Sequence, residues 1–396
     1  MPPSAASLLK SMSRDGVHPG PTVVFVDDAP WECFFQLAVI LRRAGIRTVR
    51  ISVGLSKWDV NQILFDRHVL LSMPPTPEEL ATILSSEYIT DVQPTESLAI
   101  VTYSALNLLS PSQRSDIWLR RTAFLDKWDV ARTLRNFGVR TPDGLLAELT
   151  TPTEAVRQLS LPIVLKRRVG SSGSGVEVFH SLESLETFLV SVEILSDWFY
   201  ERFVDGQSFV CATCAGDEGL DVIASYEILQ RFKSHGSSVF IEILNDPRII
   251  ESGGKLVTAM ALHGLACFDI IRDHNDVDWI HDVNPRAFGS LMTCQLAGFD
   301  FCGAYVHYLT KQGKFEESRI NVSKGEAFVF PYGVTNLIQS EKTRTAWFRT
   351  LRWTWEHWRL LGSRYFLTLA FRVTASEVLK YWKRVRFGSS LSDISG

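Results

Sequence analysis

The chain has 396 residues, of which 45% are apolar and 21% charged, and its formal net charge is −3. These values exclude a collagenous, coiled-coil or largely disordered chain and leave room for two or three domains with substantial cores. Charge as a whole names no partner, and no uninterrupted apolar run approaches the roughly 20 residues that span a bilayer.

Residues 1–20 contain no long apolar stretch and no cleavage-like site, so they read as a poorly ordered leader on a cytoplasmic protein. TVVFVDD (22–28) predicts a buried strand, 31–44 an apolar-rich helix, IRTVRIS (46–52) and HVLLS (68–72) two further strands, and 78–85 a helix. Strand and helix alternating in this way predict a parallel sheet with flanking helices. The first strand ends in Asp27-Asp28 without a Gly-x-Gly turn, which argues against a dinucleotide site there.

A second unit begins near Arg120. Its helix over FLDKWDVARTLRNF is stopped by Gly138, and LPIVLKRRVGSSGSGVEVFHS predicts two strands bridged by a glycine-serine loop. SLESLETFLVSV follows as a helix. The third unit carries WFYERFVDGQSFVCATCAG, the strand IASYEILQ, a helix around 253–263 and the hairpin GLACFDIIRDHNDVDWIHDVNPR. The resulting boundaries are 1–20, 21–119, 120–198, 199–335 and a tail at 336–396. In FVCATCAG, strand alternation sends Cys211 and Cys214 to opposite faces, and no second Cys or His pair completes a zinc set. All six cysteines read as buried thiols of a reducing compartment.

Lys166 ends a strand, and Gly170-Ser171-Ser172-Gly173-Ser174-Gly175 follows shortly after. Small residues let backbone N–H groups converge on an anion, serine hydroxyls add donors, and Lys166 with Arg167 or Arg168 supplies charge for a polyphosphate. The plainer alternative is a flexible hairpin connection. No Lys-Ser/Thr follows the last glycine, so the segment is not a P-loop.

The turn at 274–277 lies between two strand-like runs. If the hairpin is symmetric about the Asn275–Asp276 bond, Asp269 stands opposite Asp282, with Asn284 on the same face. Like charges paired across strands are unfavourable unless a cation compensates them, and carboxylate and amide oxygens suit a hard divalent ion. Asp273 and Asp278 satisfy the same symmetry but lie near the turn and are expected as a solvated pair. Arg286 points to the same side, where a guanidinium can neutralise a transferring phosphoryl group or an oxyanion. A polar exposed face and a structural salt bridge are the plainer alternatives.

With these residues in place, residues 20 to 330 resemble the ATP-grasp superfamily, in its carbamoyl-phosphate-synthase-like and biotin-carboxylase-like branch. The most specific piece is Asp282-Val-Asn284-Pro-Arg286 preceded by Asp269. The resemblance implies an α/β (α+β grasp) fold: an N-terminal parallel-sheet pre-ATP-grasp domain, a small central α+β domain with the lid, and a C-terminal antiparallel-sheet domain. The last two form the cleft, and a helical tail follows. It implies that Asp269, Asp282 and Asn284 hold Mg2+, with Mn2+ as a substitute, on the phosphates of ATP. Arg286 and Lys166 would serve catalysis. Lys127, Lys166 and the lid residues Ser171, Ser172 and Gly173 would contact phosphates, and Glu201, Phe203 and Val204 of the hinge would hold adenine. Where the family has Gly-x-Glu for the ribose, this chain has Gly206-Gln207-Ser208, which leaves Ser208 or Gln207 for that contact.

One grasp unit without biotin-enzyme or amidotransferase segments implies a stand-alone ligase joining a carboxylic acid to an amine, with an amino acid as one partner, through an acyl phosphate. An adenylating enzyme and a non-catalytic ATP-binding scaffold are the rivals. His235 or His281 could take a proton from the amine, against a structural role for each. A second loop, 231–238, could close over the site. Residues 341–387 hold eleven Lys/Arg against three acids and five of the eleven tryptophans, with Trp347, Leu351, Trp355 and Trp358 on one helical face. That tail is expected to pack on the core or to present a membrane-surface or protein contact, and a homodimer is a separate expectation. Nucleic acid is not an expected partner.

Overall fold

In the computed structural model the described residues are 20–28, 32–54, 63–110, 126–169, 175–231, 238–311 and 325–329, with Phe124, Phe315, Trp355 and Arg359 besides. The leader, the lid residues 170–174, residues 232–237 with His235, and the tail apart from Trp355 and Arg359 lie outside them.

The first sheet is parallel, in the order β3-β2-β1-β4, from β1 (Thr22–Asp27), β2 (Arg47–Val53), β3 (Arg67–Leu71) and β4 (Asp91–Pro94). All six residues of β1 are buried, as befits a central parallel strand covered on both faces. Val24 and Val26 turn toward α2 (Pro77–Ser85) and α3 (Glu96–Leu108), whereas Val23 and Phe25 turn toward α1 (Glu32–Arg43). Helix α2 starts at a capping box, in which Glu79 N–H donates to Thr76 Oγ1 and Thr76 N–H to Glu79 Oε2. β4 and α3 are not among the elements predicted from sequence. Their signal was present: Thr95 precedes a run in which Leu98, Ala99, Tyr103 and Leu106 are buried at helical spacing.

The second sheet is small and antiparallel, in the order β5-β8-β6-β7, from β5 (Gly144–Leu146), β6 (Ile163–Arg167), β7 (Val176–Phe179) and β8 (Trp198–Arg202). Helix α4 (Lys127–Asn136) precedes it; α5 (Pro152–Leu159) and α6 (Leu182–Val190) pack on it through Leu159 and Leu185. β8 pairs within this sheet, so the change of sheet falls in the link Phe203–Asp205.

The third sheet has the order β13-β12-β9-β10-β11-β14, all antiparallel: β9 (Gly206–Gly216), β10 (Gly219–Arg231), β11 (Ser238–Ile243), β12 (Gly264–Asp273), β13 (Asp278–Asn284) and β14 (Gly325–Phe328). Helix α7 (Pro247–Ala259) covers one face, and α8 (Leu291–Leu296) with α9 (Phe301–Thr310) covers the other. Cys211 packs on the α7 face and Cys214 on the α8–α9 face, as alternation requires. All six cysteines are buried free thiols. The helix expected around 253–263 begins earlier. Asp246 caps it by accepting from the N–H groups of Arg248 and Ile249, and Pro247 opens the first turn.

The α8–α9 face of the third sheet and the α1 face of the first sheet share one continuous apolar core, joining Phe25 and Phe34 to Phe288, Phe301 and Tyr305. Among the described residues no helix is long and apolar enough to cross a membrane.

Adjacent glycines in α7 separate two effects. A Cβ at Gly253 would stand 2.2 Å from Cys211 Sγ, whereas one at Gly254 would meet only Leu220 Cδ2, at 3.9 Å. Gly253→Ala is therefore expected to destabilise by about 1–2 kcal/mol despite its helix preference, and Gly254→Ala to stabilise by about 0.5–1 kcal/mol. Denaturant unfolding checks both; equal signs would refute the packing described here.

Candidate active site

The site lies at the β12–β13 edge of the third sheet. Pairing brings Asp269 opposite Asp282 and Cys267 opposite Asn284, so the expected carboxylate pair forms, and Asn284 shares its face. The pairing is not symmetric through to the turn, because between Asp269 and Ile270 the register slips by one residue. Ile270 then faces Ile280, and His281 becomes the extra residue of a β-bulge. The bulge lets Ile280 and Val283, three residues apart, both enter the core under α4 and α7 while Asp282 and Asn284 stay on the opposite face. Strict alternation could not do both.

The same slip corrects the expected Asp273–Asp278 pair. Asp278 stands opposite Arg272 and accepts from its guanidinium at 2.6 and 3.0 Å. Asp273 closes the turn instead, its Oδ1 accepting from Asn275 and Val277 N–H and its Oδ2 from Trp279 Nε1. Neither is a like-charge pair left to solvent.

Two lysines reach the carboxylates from other elements. Lys127 opens α4 behind the N-cap Asp126, and its Nζ lies 3.3 Å from Asp282 Oδ2. Lys166, on β6, is buried; its ammonium pairs with the Glu201 carboxylate on neighbouring β8 and donates to the His281 carbonyl at 3.5 Å. Burial pushes the Glu201 carboxyl above its ordinary value, against the pull of Lys166. Burial also acts to raise Asp282, but Lys127 and the other nearby cationic groups outweigh it and hold the carboxyl below its ordinary range. Burial, helped by Lys166, holds His281 down to about 3. A neutral imidazole of such low basicity is a poor acceptor for an amine proton, so His281 takes the structural reading.

Arg168 is committed elsewhere, since its guanidinium donates twice to Asp126, at 2.6 and 2.9 Å, and so ties the end of β6 to the cap of α4. Arg167 is half-exposed and lies over the Trp198 ring. Of the three basic residues before the lid, only Lys166 is directed toward the carboxylates. Arg286 donates from Nη2 to Asn284 Oδ1 at 3.1 Å, and Asn284 Nδ2 donates to one oxygen each of Asp269 and Asp282, both at 3.4 Å.

The donor set fits a hard divalent ion in its chemistry: two facing carboxylates and an amide oxygen, half-buried. Ligation through Asn284 requires its amide to turn over, because Oδ1 now faces Arg286. Among the described residues no group of three or more His, Cys, Asp and Glu is placed to hold a metal ion.

Two cavities meet at Lys127 and Asp282. One is lined by Phe124, Glu201, His281 and Val283 as well; the other by Ala99, Tyr103, Val169, Asn284 and Arg286. Ala99 and Tyr103 belong to α3 and were not singled out from sequence, because apolar residues on a helix carry no chemical signature. Phe203 and Val204 lie half-buried in the link between β8 and β9. Ser208 pairs with Ile271, two positions along β9 from the partner of Asp269, and so lies on the carboxylate face. Ser171, Ser172 and Gly173 lie outside the described residues.

Residues 124–290 match the family described as an ATP-grasp domain. No curated protein sequence is significantly similar. Among solved structures, the ADP complex of PurK, an N5-carboxyaminoimidazole ribonucleotide synthetase, superposes with a TM-score of 0.62 at 14% identity, covering 79% of this chain and 82% of its own. The ATP complex of carboxyaminoimidazole ribonucleotide synthase from Aspergillus clavatus gives 0.64 at 14%, with 77% and 80% covered. The biotin carboxylase domain of 2-oxoglutarate carboxylase from Hydrogenobacter thermophilus, solved with MgADP and bicarbonate, gives 0.63 at 16%, with 78% and 74% covered. The Asp-x-Asn-Pro-Arg strand end, the two lysines and the paired carboxylates all lie inside residues 124–290, the segment that matches the ATP-grasp domain family.

Proposed function

We propose that this chain is a Mg-ATP-dependent carboxylate–amine ligase that forms an amide or peptide-like bond and releases ADP and phosphate. The observation that carries this reading is the facing pair Asp269–Asp282, with Asn284 and Arg286 on the same strand end and Lys127 and Lys166 converging from two other elements. That arrangement concentrates hard oxygen donors beside three fixed cations, which is what a polyphosphate and its metal require. PurK and the Hydrogenobacter domain, solved with ADP and MgADP, support nucleotide use.

Asp269, Asp282 and Asn284 would hold magnesium, or manganese in its place, and the ion would neutralise charge on the phosphates. Lys127 and Lys166 bind and align the γ-phosphoryl group with a substrate carboxylate for in-line transfer. Glu201, Phe203 and Val204 hold adenine and Ser208 approaches the ribose, while the lid residues Ser171, Ser172 and Gly173 cover the phosphates. The carboxylate oxygen takes the phosphoryl group, ADP leaves, and the acyl phosphate is attacked by the amine. Arg286 supports the oxyanion of the tetrahedral adduct until phosphate departs. An amino acid is the proposed amine or acid partner. The buried Glu201–Lys166 pair holds the ammonium in place before nucleotide arrives.

Nucleotide products released from Mg-ATP in the presence of pooled carboxylic acids and amino acids provide the first test. ADP and phosphate should form only with the pool, and Asp282→Ala should lower the rate at least about 100-fold. AMP with pyrophosphate would overturn the acyl phosphate, and tight ATP binding without turnover would favour a scaffold.

Asp269→Asn should raise the magnesium concentration needed for half-maximal ADP formation by about 10- to 100-fold. An unchanged metal requirement would remove Asp269 from the ligand set.

Lys166→Met should destabilise the fold by about 3 kcal/mol or more, because it strands the buried Glu201 carboxylate. Adding Glu201→Gln should recover most of that stability but not ATP affinity. A double variant as unstable as the single one would show that the stranded charge is not the cause.

A further inference from the structure

The loop that carries Arg286 is set by a residue of the first sheet. Gln93, on the edge strand β4, is fully buried, and its Oε1 accepts from the backbone N–H of Ala287 at 2.8 Å. Its Nε2 donates to Asp91 Oδ2 at 3.0 Å and to Tyr305 OH at 3.1 Å, and the Tyr305 hydroxyl donates in turn to Asp91 Oδ2 at 2.7 Å. Asp91 and Tyr305 are also fully buried. This closed triangle fixes which end of the Gln93 amide faces Ala287. The carboxylate and hydroxyl claim the NH2 group, so only the carbonyl oxygen can meet a backbone N–H.

Ala287 follows Arg286 directly, and its carbonyl accepts from Arg286 Nη1 at 3.4 Å, while Arg286 Nη2 reaches Asn284. Movement of the 286–287 peptide would therefore displace both the attachment and one partner of the guanidinium. At the far end of the loop, Ser290 is joined to Tyr226 by a 2.5 Å hydrogen bond between hydroxyls, and Phe288 packs on Phe301. Three residues past Ala287 the chain is thus anchored within the third unit itself. The hydrogen bond at Ala287 comes instead from the first sheet.

We infer that Gln93 is a positioning residue that holds Arg286 in register with the carboxylate pair, making the parallel sheet part of the catalytic apparatus. This rests on the ligase reading of the site. Misplacing a reacting group by about 1 Å costs about 100-fold in rate, so the effect of losing Gln93 should appear in turnover and not in nucleotide binding, whose described residues sit on α4, β6, β8, the β8–β9 link and β9.

The test uses Gln93→Met and, as a control, Tyr305→Phe, which opens the triangle but keeps the Gln93–Ala287 bond. Gln93→Met should lower acid-dependent ADP formation about 100-fold while the KM for ATP and the magnesium requirement stay within about twofold. Tyr305→Phe should lose comparable stability and less than about threefold in turnover. Parallel losses of turnover in both variants, or a fall in ATP affinity with Gln93→Met, would reduce Gln93 to a structural role. A second arm needs no substrate. Hydrogen exchange of peptides covering 285–290 in the full chain should quicken about tenfold in Gln93→Met, with peptides around Asp269 and Lys166 unchanged. Unchanged exchange at 285–290 would overturn the inference whatever the turnover. Failure of the wild-type chain to form ADP would instead count against the ligase reading, with the exchange result still standing.

Discussion

Asp269 and Asp282 face each other across two antiparallel strands, and neither carboxylate is fully open to water. Such a pair is unfavourable unless positive charge is brought to it. Lys127 comes from the first turn of a helix, Lys166 from a strand of a different sheet, and Arg286 from the loop beyond β13. Each is held by a contact of its own: Asp126 caps the helix under Lys127, Glu201 pairs with Lys166, and Asn284 accepts from Arg286. Lys127 and Lys166 hold the Asp282 carboxyl below its ordinary range despite its burial. A site charged in this way suits the polyphosphate and divalent ion proposed for it, which together bring more negative than positive charge.

The bulge at His281 is the local device that makes the site compatible with a core. It changes the phase of β13, so apolar side chains go under α4 and α7 while the carboxylate and amide stay on the cleft side. Its carbonyl, displaced from the regular ladder, accepts from Lys166 and so links the third sheet to the second. His281 itself is kept neutral by burial. A residue that looks like a proton acceptor by type thus makes its contact with Lys166 through its backbone.

Joining three sheets around one site buries charged and amide groups, and several of these are closely paired. Arg50, fully buried in the first sheet, donates to Asp27 at 2.8 and 3.1 Å and lies over the Phe35 ring. Arg272 satisfies Asp246 and Asp278 together and thereby couples the cap of α7 to the hairpin. The Asp91–Gln93–Tyr305 triangle performs the same task where the first and third sheets meet. Buried pairs of this kind add little net stability against apolar substitutes, yet they penalise misdocking heavily, because any slip leaves a charge or amide unpartnered.

Local patterns were enough to predict the parallel sheet, since TVVFVDD, IRTVRIS and HVLLS are short apolar runs accompanied by helical patterns at 31–44 and 78–85. The opposition of Asp269 and Asp282 was anticipated from a hairpin symmetric about the Asn275–Asp276 bond, but the ladder beside the turn is offset by one residue from that symmetry, and the pair forms because the bulge at His281 restores it. Motif spacing, through Asp282-Val-Asn284-Pro-Arg286, carried the family. What the sequence could not decide is whatever depends on partners distant along the chain. The bulge exists because the core demands Ile280 and Val283 on one face, and this demand appears only when α4 and α7 are in place. Arg168 looked equivalent to Lys166 until the fold put Asp126 beside it. Gln93 and Tyr305, 212 residues apart, share no local pattern at all. A strand or turn is set by neighbours a few residues away, whereas a side chain's task is set by the groups that tertiary packing brings within hydrogen-bond reach.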